Sequence, residues 1–205
     1  MGRYTIVLDS NAELMRRLKK INICVINNSE HVTDLLKKLL NEVGFTSLHI
    51  YNNAFNAIQH LKKHKMHMLI IDSALTVPTK NNIMDNKMID ANDTQSVSGC
   101  EFVRRLRRSP NSPNPFIPII MLADINENSL KEDARDSGVN ELAVHPLEAK
   151  ALFSNMLKVI DKPRIFITAD TYRGPCRRLE QKGPPEGTHE RRIKDIRIIR
   201  YNEAI

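Results

Sequence analysis

Residues 21–44, INICVINNSEHVTDLLKKLLNEVG, change period in the middle, and that change decides the fold. Ile21 to Ile26 is apolar and largely β-branched, the composition of a buried strand. From Val32 the spacing becomes three and four: Val32, Leu35, Leu36, Leu39, Leu40 and Val43 share one face of a helix that Gly44 terminates. A continuous apolar strand followed by an amphipathic helix is the opening unit of a parallel α/β sheet.

The pattern continues outward. Thr46–Ile50 reads as a second strand, with Ala54, Ile58 and Leu61 along a helix ending in Lys62-Lys63-His64-Lys65. Met68–Ile71 is a third strand, closed by Asp72. Its helix is delayed by 26 residues, 73–98, of which eleven are Ser, Thr, Asn or Gln with no sustained period, so a mobile loop is expected there. Cys100, Phe102, Val103 and Leu106 mark the third helix, which runs into the basic Arg104–Arg108 and stops at Pro110. Pro118–Leu122 is a fourth strand, followed by a polar helix to about Ser137. Glu141–Val144 is a short fifth strand, and Leu152, Met156, Val159 and Ile160 mark the last helix. Five βα units with right-handed crossovers predict an α/β fold with a five-stranded parallel doubly wound sheet, flavodoxin-like, of strand order 2-1-3-4-5.

The net charge of +7 is not on that core. Residues 1–20 carry five Lys/Arg against two acids, residues 161–205 eleven against seven, and residues 21–160 fifteen of each. A neutral folded module argues against nucleic acid as a partner of the core and leaves a nucleic-acid-associated regulator, contacting phosphates through basic termini, as a secondary alternative. Three cysteines, Cys24, Cys100 and Cys176, encode neither a disulfide framework nor a paired metal motif. They fit a reducing, cytoplasmic setting. Apolar runs such as Ile117–Ala123 are too short to span a bilayer, and no secretion signal is expected at the start.

In this fold the informative residues follow the strands at their carboxyl ends. An ordered series there resembles the receiver domain of bacterial two-component response regulators, a CheY-like domain: Val25-Ile-Asn-Asn-Ser-Glu30, Leu69-Ile-Ile-Asp72, Ser98-Gly-Cys-Glu-Phe-Val-Arg-Arg-Leu-Arg107, Ile117-Pro-Ile-Ile-Met-Leu-Ala123 and Gly138-Val-Asn-Glu-Leu-Ala-Val-His-Pro146. The resemblance covers residues 21–160. It implies a receiver-like domain over 21–160 with the insertion 73–98, while charge and pattern give a basic helical extension over 1–20 and a basic, mostly extended tail over 161–205.

The resemblance also assigns positions. Asp72 stands at the phosphoacceptor, Asn27 and Asn28 at the acidic pair that holds magnesium, Ala123 at the hydroxyl residue, His145 at the lysine, and Pro146 at a cis-proline. Four supporting positions therefore depart from the pattern. Magnesium gains most from ionised carboxylates, and two carboxamides supply oxygen without charge. A phosphoryl group brings roughly −1.5 to −2 charge that would need neutralising beside Asp72. A missing hydroxyl removes a bond to a charged oxygen worth about 1.5–3 kcal/mol, and histidine, unlike lysine, is not a permanent cation at neutral pH.

The expectation is a degenerate receiver, or pseudo-receiver, without enzymatic activity or resident cofactor and with weak or no Mg²⁺ binding. It would act as a protein interaction module in two-component or phosphorelay signal transduction. Its partners would be a histidine kinase, a phosphotransferase or an effector, with homodimer formation through the last helices also implied by the resemblance. The competing reading is a phosphorylatable single-domain response regulator using Asp72 as acceptor. Asp72 is otherwise a solvated carboxylate or the partner of His145. His60, His64 and His67 read as a solvated face rather than a metal site, Arg104–Arg108 as a solvated helix end, and Met66, Met68 and Met121 as core. Asp9-Ser10-Asn11 is expected to cap a short helix carrying Leu14, Met15 and Leu18; Gly183-Pro-Pro and Gly187 suggest a linker, and Ile193–Tyr201 a strand-like segment.

Overall fold

The structure, a computed structural model, describes Arg16, residues 19–75, 77–78, 96–124, 130–161 and 163–177. Arg16 and Lys19 are helical, while Leu14, Met15 and Leu18 of the expected N-terminal helix and the segments at 183–187 and 193–201 lie outside those residues.

In chain order the elements are β1 (Asn22–Ile26), α1 (Glu30–Glu42), β2 (Ser47–Tyr51), α2 (Ala54–Lys63), β3 (Met68–Asp72), β4 (Val77–Pro78), β5 (Ser96–Val97), α3 (Gly99–Arg108), β6 (Ile119–Ala123), α4 (Leu130–Ser137), β7 (Glu141–Val144), α5 (Ala149–Asp161), β8 (Phe166–Thr168) and β9 (Arg173–Pro175). The main sheet is five-stranded and entirely parallel, in the order β2-β1-β3-β6-β7, which is the 2-1-3-4-5 arrangement of the flavodoxin-like fold.

Alternation along the strands sorts the core into two layers. Cys24, Ile26, Leu69, Ile71, Ile119 and Met121 point to the face covered by Ala57, Ile58 and Leu61 of α2 and by Cys100, Val103 and Leu106 of α3. Ile23, Val25, Met68, Ile70, Ile120 and Leu122 face Leu36 and Leu40 of α1 and Leu152, Met156 and Val159 of α5. Strands buried on both faces need continuous apolar runs, which is why they read so clearly in the sequence. Met66, Met68 and Met121 are all buried, as expected.

Helix starts follow capping chemistry: the Ser29, Asn53 and Ser98 side chains accept from the backbone N–H groups of Val32, Asn56 and Glu101, respectively.

Three features differ from the sequence expectation. The insertion is closed at its base: β4 and β5 pair antiparallel, Val77 opposite Val97, and the Gly99 N–H donates to the Ser73 carbonyl at 3.1 Å. Gly99 permits this neck, because a Cβ there would collide with the Asp72 carbonyl oxygen. A two-residue pairing is too short to leave a period in the sequence.

Residues 163–177 are extended, but as a hairpin in which β8 and β9 pair antiparallel, and Phe166 and Tyr172 are buried. Two stabilising contacts are the Arg164–Glu141 ion pair at 3.3 Å and the Arg177–Asp136 ion pair at 3.3 Å, the latter with Arg177 stacked over the Tyr172 ring.

The third difference is Arg107. It is fully buried, so the solvated-helix-end reading of Arg104–Arg108 fails at this position. Its Nε donates to Gly138 O, Nη1 to Pro115 O and Ile117 O, and Nη2 to Gly138 O and Asn140 Oδ1, at 2.7–3.1 Å. All five N–H donors of the guanidinium are thus used, mostly on carbonyl dipoles, and the group lies 5.3 Å from the Phe166 ring centroid. Gly138 takes φ +98 to present its carbonyl here, a conformation that disfavours any side chain.

Candidate functional site

The switch point of strand order lies between β1 and β3, and the residues leaving those strands meet there. β3 delivers Asp72 half-buried at its carboxyl end, and β1 delivers Asn27, which is only 2% exposed. The Asn27 backbone N–H is fixed to Tyr51 O at 3.1 Å, and its side chain is engaged at both ends. Nδ2 donates to Asp72 Oδ2 at 2.7 Å, while Oδ1 accepts from the Ser29 backbone N–H at 2.7 Å. The other Asp72 oxygen, Oδ1, accepts from the Ala74 N–H at 3.0 Å. The carboxylate is therefore held by two neutral donors, and the amide oxygen of Asn27 is already committed to starting α1.

Asn28, the second carboxamide, is exposed at the rim. Ala123 ends β6, buried at 4% exposure, and brings only a methyl group to the position assigned to a hydroxyl. The His145 N–H donates to the Ala123 carbonyl at 2.9 Å, and the His145–Pro146 peptide is cis. Among the described residues no hydrogen bond or ion pair joins Asp72 to His145, so the suggested pair does not form. The structure thus brings Asn27 and Asp72 into direct contact and holds Ala123 and His145 to each other through the backbone.

Of the histidines read as a solvated face, His64 is exposed as expected, while His60 and His67 are half-buried. His60 is stacked between His49 and His64, with ring centroids at 4.6 and 4.3 Å, and its Nε2 is buried without a partner. Burial, then the neighbouring His49 and His64, push its pKa down. His67 Nδ1 accepts from the Asn22 N–H at 2.9 Å, and its pKa is lowered by burial and then by Lys65. Among the described residues no three His, Cys, Asp or Glu side chains are grouped to hold a metal ion. The partner of His60 that sequence reasoning missed is His49, whose ring comes from β2 two residues before Tyr51.

A second feature beside the site was not foreseen. Between α1 and the carboxyl end of β2 lies a cleft of about 630 Å³, lined by Asn27, Asn28, Thr33, Tyr51, Asn52 and Asn56 among others. Its signal in the sequence is the pair of Asn-Asn dipeptides, 27–28 and 52–53, at the ends of β1 and β2.

No family model and no curated protein sequence matches the chain. Solved structures do. A protein described as a response regulator from Chloroflexus aurantiacus J-10-fl is 19% identical, with 70% of this chain and 100% of that one covered, at a TM-score of 0.54. The receiver domain of the sensor histidine kinase PA1611 from Pseudomonas aeruginosa PAO1, solved with a magnesium ion in its active-site cleft, is 14% identical at TM-score 0.52, covering 69% of this chain and 98% of that one. The chemotaxis response regulator CheY4 of Vibrio cholerae is 18% identical at TM-score 0.50, covering 68% and 98%. The chain has the fold of CheY-like receiver domains.

Proposed function

We propose that this chain is a degenerate receiver serving as a protein interaction module in bacterial, cytoplasmic signal transduction, not phosphorylated by the usual magnesium-dependent route and not itself an enzyme. The observation that carries the reading is the Asn27 clamp on Asp72. A receiver needs a free carboxylate oxygen as nucleophile and a divalent ion to gather the phosphoryl charge. Here one Asp72 oxygen receives an amide that is almost wholly buried, and phosphorylating that oxygen would leave the amide without its acceptor, at a cost of about 1–3 kcal/mol.

The residues present do not fit magnesium. Asn27 Oδ1 is spent on the Ser29 N–H and Asn28 carries no charge, so Asp72 remains the one anionic donor among the assigned positions. Ala123 offers no hydroxyl to a phosphoryl oxygen. Without an acyl phosphate to shift it, the domain presents one surface to its partners, and regulation falls to which partner binds. A kinase, a phosphotransferase or an effector that reads the receiver surface is the expected partner class, alongside a second copy of the chain.

Incubation with acetyl phosphate and magnesium, read by intact mass, tests the reading. An unchanged mass is expected. A gain of one phosphoryl group that disappears in Asp72→Asn would replace it with a phosphoacceptor role.

A further inference from the structure

We propose that the joint between the β8–β9 hairpin and the connection 109–116 is a binding site for a small tetrahedral oxyanion, inorganic phosphate or a phosphate monoester. Among the described residues four buried side-chain polar atoms have no hydrogen-bond partner, and three of them, Ser112 Oγ, Thr168 Oγ1 and Arg173 Nε, belong to this joint. Buried polar groups are ordinarily satisfied, so three orphans in one place call for a missing partner.

Strand pairing brings two of them together. Thr168 and Arg173 stand directly opposite in the hairpin, and the bonds between Ala169 and Tyr172 make theirs a non-hydrogen-bonded pair, the kind whose side chains approach most closely. Both share the face of Phe166, whose ring packs on Phe116 at 4.9 Å. The Arg173 guanidinium lies 5.2 Å from the Phe116 ring centroid, a contact that places it without using any N–H group. The connection touches the hairpin at both ends, through Arg108 Nη2 to Thr171 O and through Phe116 to Phe166, and Ser112 is in the turn between them.

Donors and charge select the ligand. Arg173 forms no hydrogen bond or ion pair among the described residues, and it offers donors only. The neighbouring acids are already engaged, Glu141 with Arg164 and Asp136 with Arg177, each at 3.3 Å. Asp170 is exposed in the hairpin turn, where solvent screens it. A guanidinium and two hydroxyls suit a ligand that only accepts and carries oxygens in several directions, as a phosphate does. Ser112, Thr168 and Arg173 are each half-buried, so the joint reaches solvent at its rim. It lies towards the amino end of the sheet, opposite Asp72, and non-covalent binding there is independent of the reading of the phosphoacceptor position.

The test is a titration of the isotopically labelled full chain with inorganic phosphate and with glycerol 3-phosphate at constant ionic strength, with acetate and chloride in parallel, following amide and Arg Nε–H signals by NMR. Saturable shifts at Ser112, Thr168 and the Arg173 Nε–H are expected with at least one phosphate compound, and the tighter of the two tells the free ion from the ester. Arg173→Gln should weaken that binding at least about tenfold and Thr168→Val about fivefold, while Arg105→Gln, which pairs with Glu101 elsewhere on α3 in the unmodified chain, should leave it unchanged. Should Arg173→Gln fail to fold, Thr168→Val decides alone. Absence of saturable shifts with both phosphate compounds, equal shifts with acetate or chloride, or undiminished binding in the folded variants would overturn the proposal.

Discussion

At the carboxyl end of the sheet the Asp72 carboxylate takes two hydrogen bonds, from Asn27 and Ala74. At the amino end, Arg107 gives five, to carbonyl and amide oxygens at 115, 117, 138 and 140 just ahead of β6 and β7. The single helix α3 connects these ends, starting beside Asp72 at Gly99 and carrying Arg107 in its last turn. A site that works by changing charge keeps its groups accessible, whereas a structural charge must be solvated by the protein. In this chain the second kind of construction is complete, whereas Asp72 is held by two neutral donors, so ordering by polar contacts is concentrated at the amino end of the sheet.

The largest expected effect comes from breaking the amino end. Arg107→Met retains much of the side-chain volume but leaves buried carbonyls without donors, and should lower stability by about 3–5 kcal/mol in urea unfolding. Arg105→Met on the same helix, where the guanidinium pairs with Glu101 near the surface, should cost less than about 1 kcal/mol. Equal losses at the two positions would mean that the buried network carries no special weight.

Next in size is the hairpin that closes over that network. Phe166 is fully buried, edge-on to Phe116 at 4.9 Å and beneath Arg107. Phe166→Ala should destabilise the main unfolding transition by about 3 kcal/mol. If the hairpin were an independent appendage, that transition would not move. Tyr172→Phe, which removes a donor to Pro175 O, should cost about 1 kcal/mol in the same assay.

The five parallel strands and their helices were legible because strands buried on both faces must be apolar throughout, and helices packed on one side must repeat at three and four. The short strand Glu141–Val144 was found from the same logic despite its polar start. Arg107 was not read as buried because charge suggested solvent, although it lies four residues after Val103 and seven after Cys100, on the buried face of α3. The hairpin was missed because Phe166 and Tyr172 acquire meaning only against Arg107 and Gly138, far away in sequence. At the site, the positions of Asp72, Asn27, Ala123 and His145 were read correctly as strand ends, but the Asn27–Asp72 bond is a tertiary contact that no spacing encodes.

Adding charge beside Asp72 sharpens the comparison from the other end. The double variant Asn27→Asp with Asn28→Asp places carboxylates beside Asp72 and removes the Nδ2 donor, so without metal it should lose about 1–2 kcal/mol through like-charge repulsion. Magnesium should recover that loss in a concentration-dependent way, because it binds the folded state selectively. The unmodified chain should show no magnesium-dependent rise in Tm. If it did, charge depletion would not be what separates this carboxyl end from a metal-binding one.

The smallest effect concerns acid. His60 is packed by His49 and Tyr51 of β2 and stacked on His64, which caps the end of α2, with the buried thiol of Cys24 on β1 in register with His49. Its pKa lies below the ordinary histidine value of 6.5, as does that of His67, whose Nδ1 must stay unprotonated to accept from Asn22. A base with a depressed folded-state pKa binds fewer protons than the unfolded chain once the pH drops below about 6.5, so stability is retained above that value and lost progressively beneath it. His60→Phe keeps an aromatic ring in the stack and removes the ionising group. Stability measured by urea unfolding should then fall less between about pH 7 and pH 5 than in the unmodified chain. The reduction is modest because the stack is partly solvent-screened. An unchanged slope would show that the His60 stack does not set the acid sensitivity, and that the edge strand β2 is held by its apolar contacts alone.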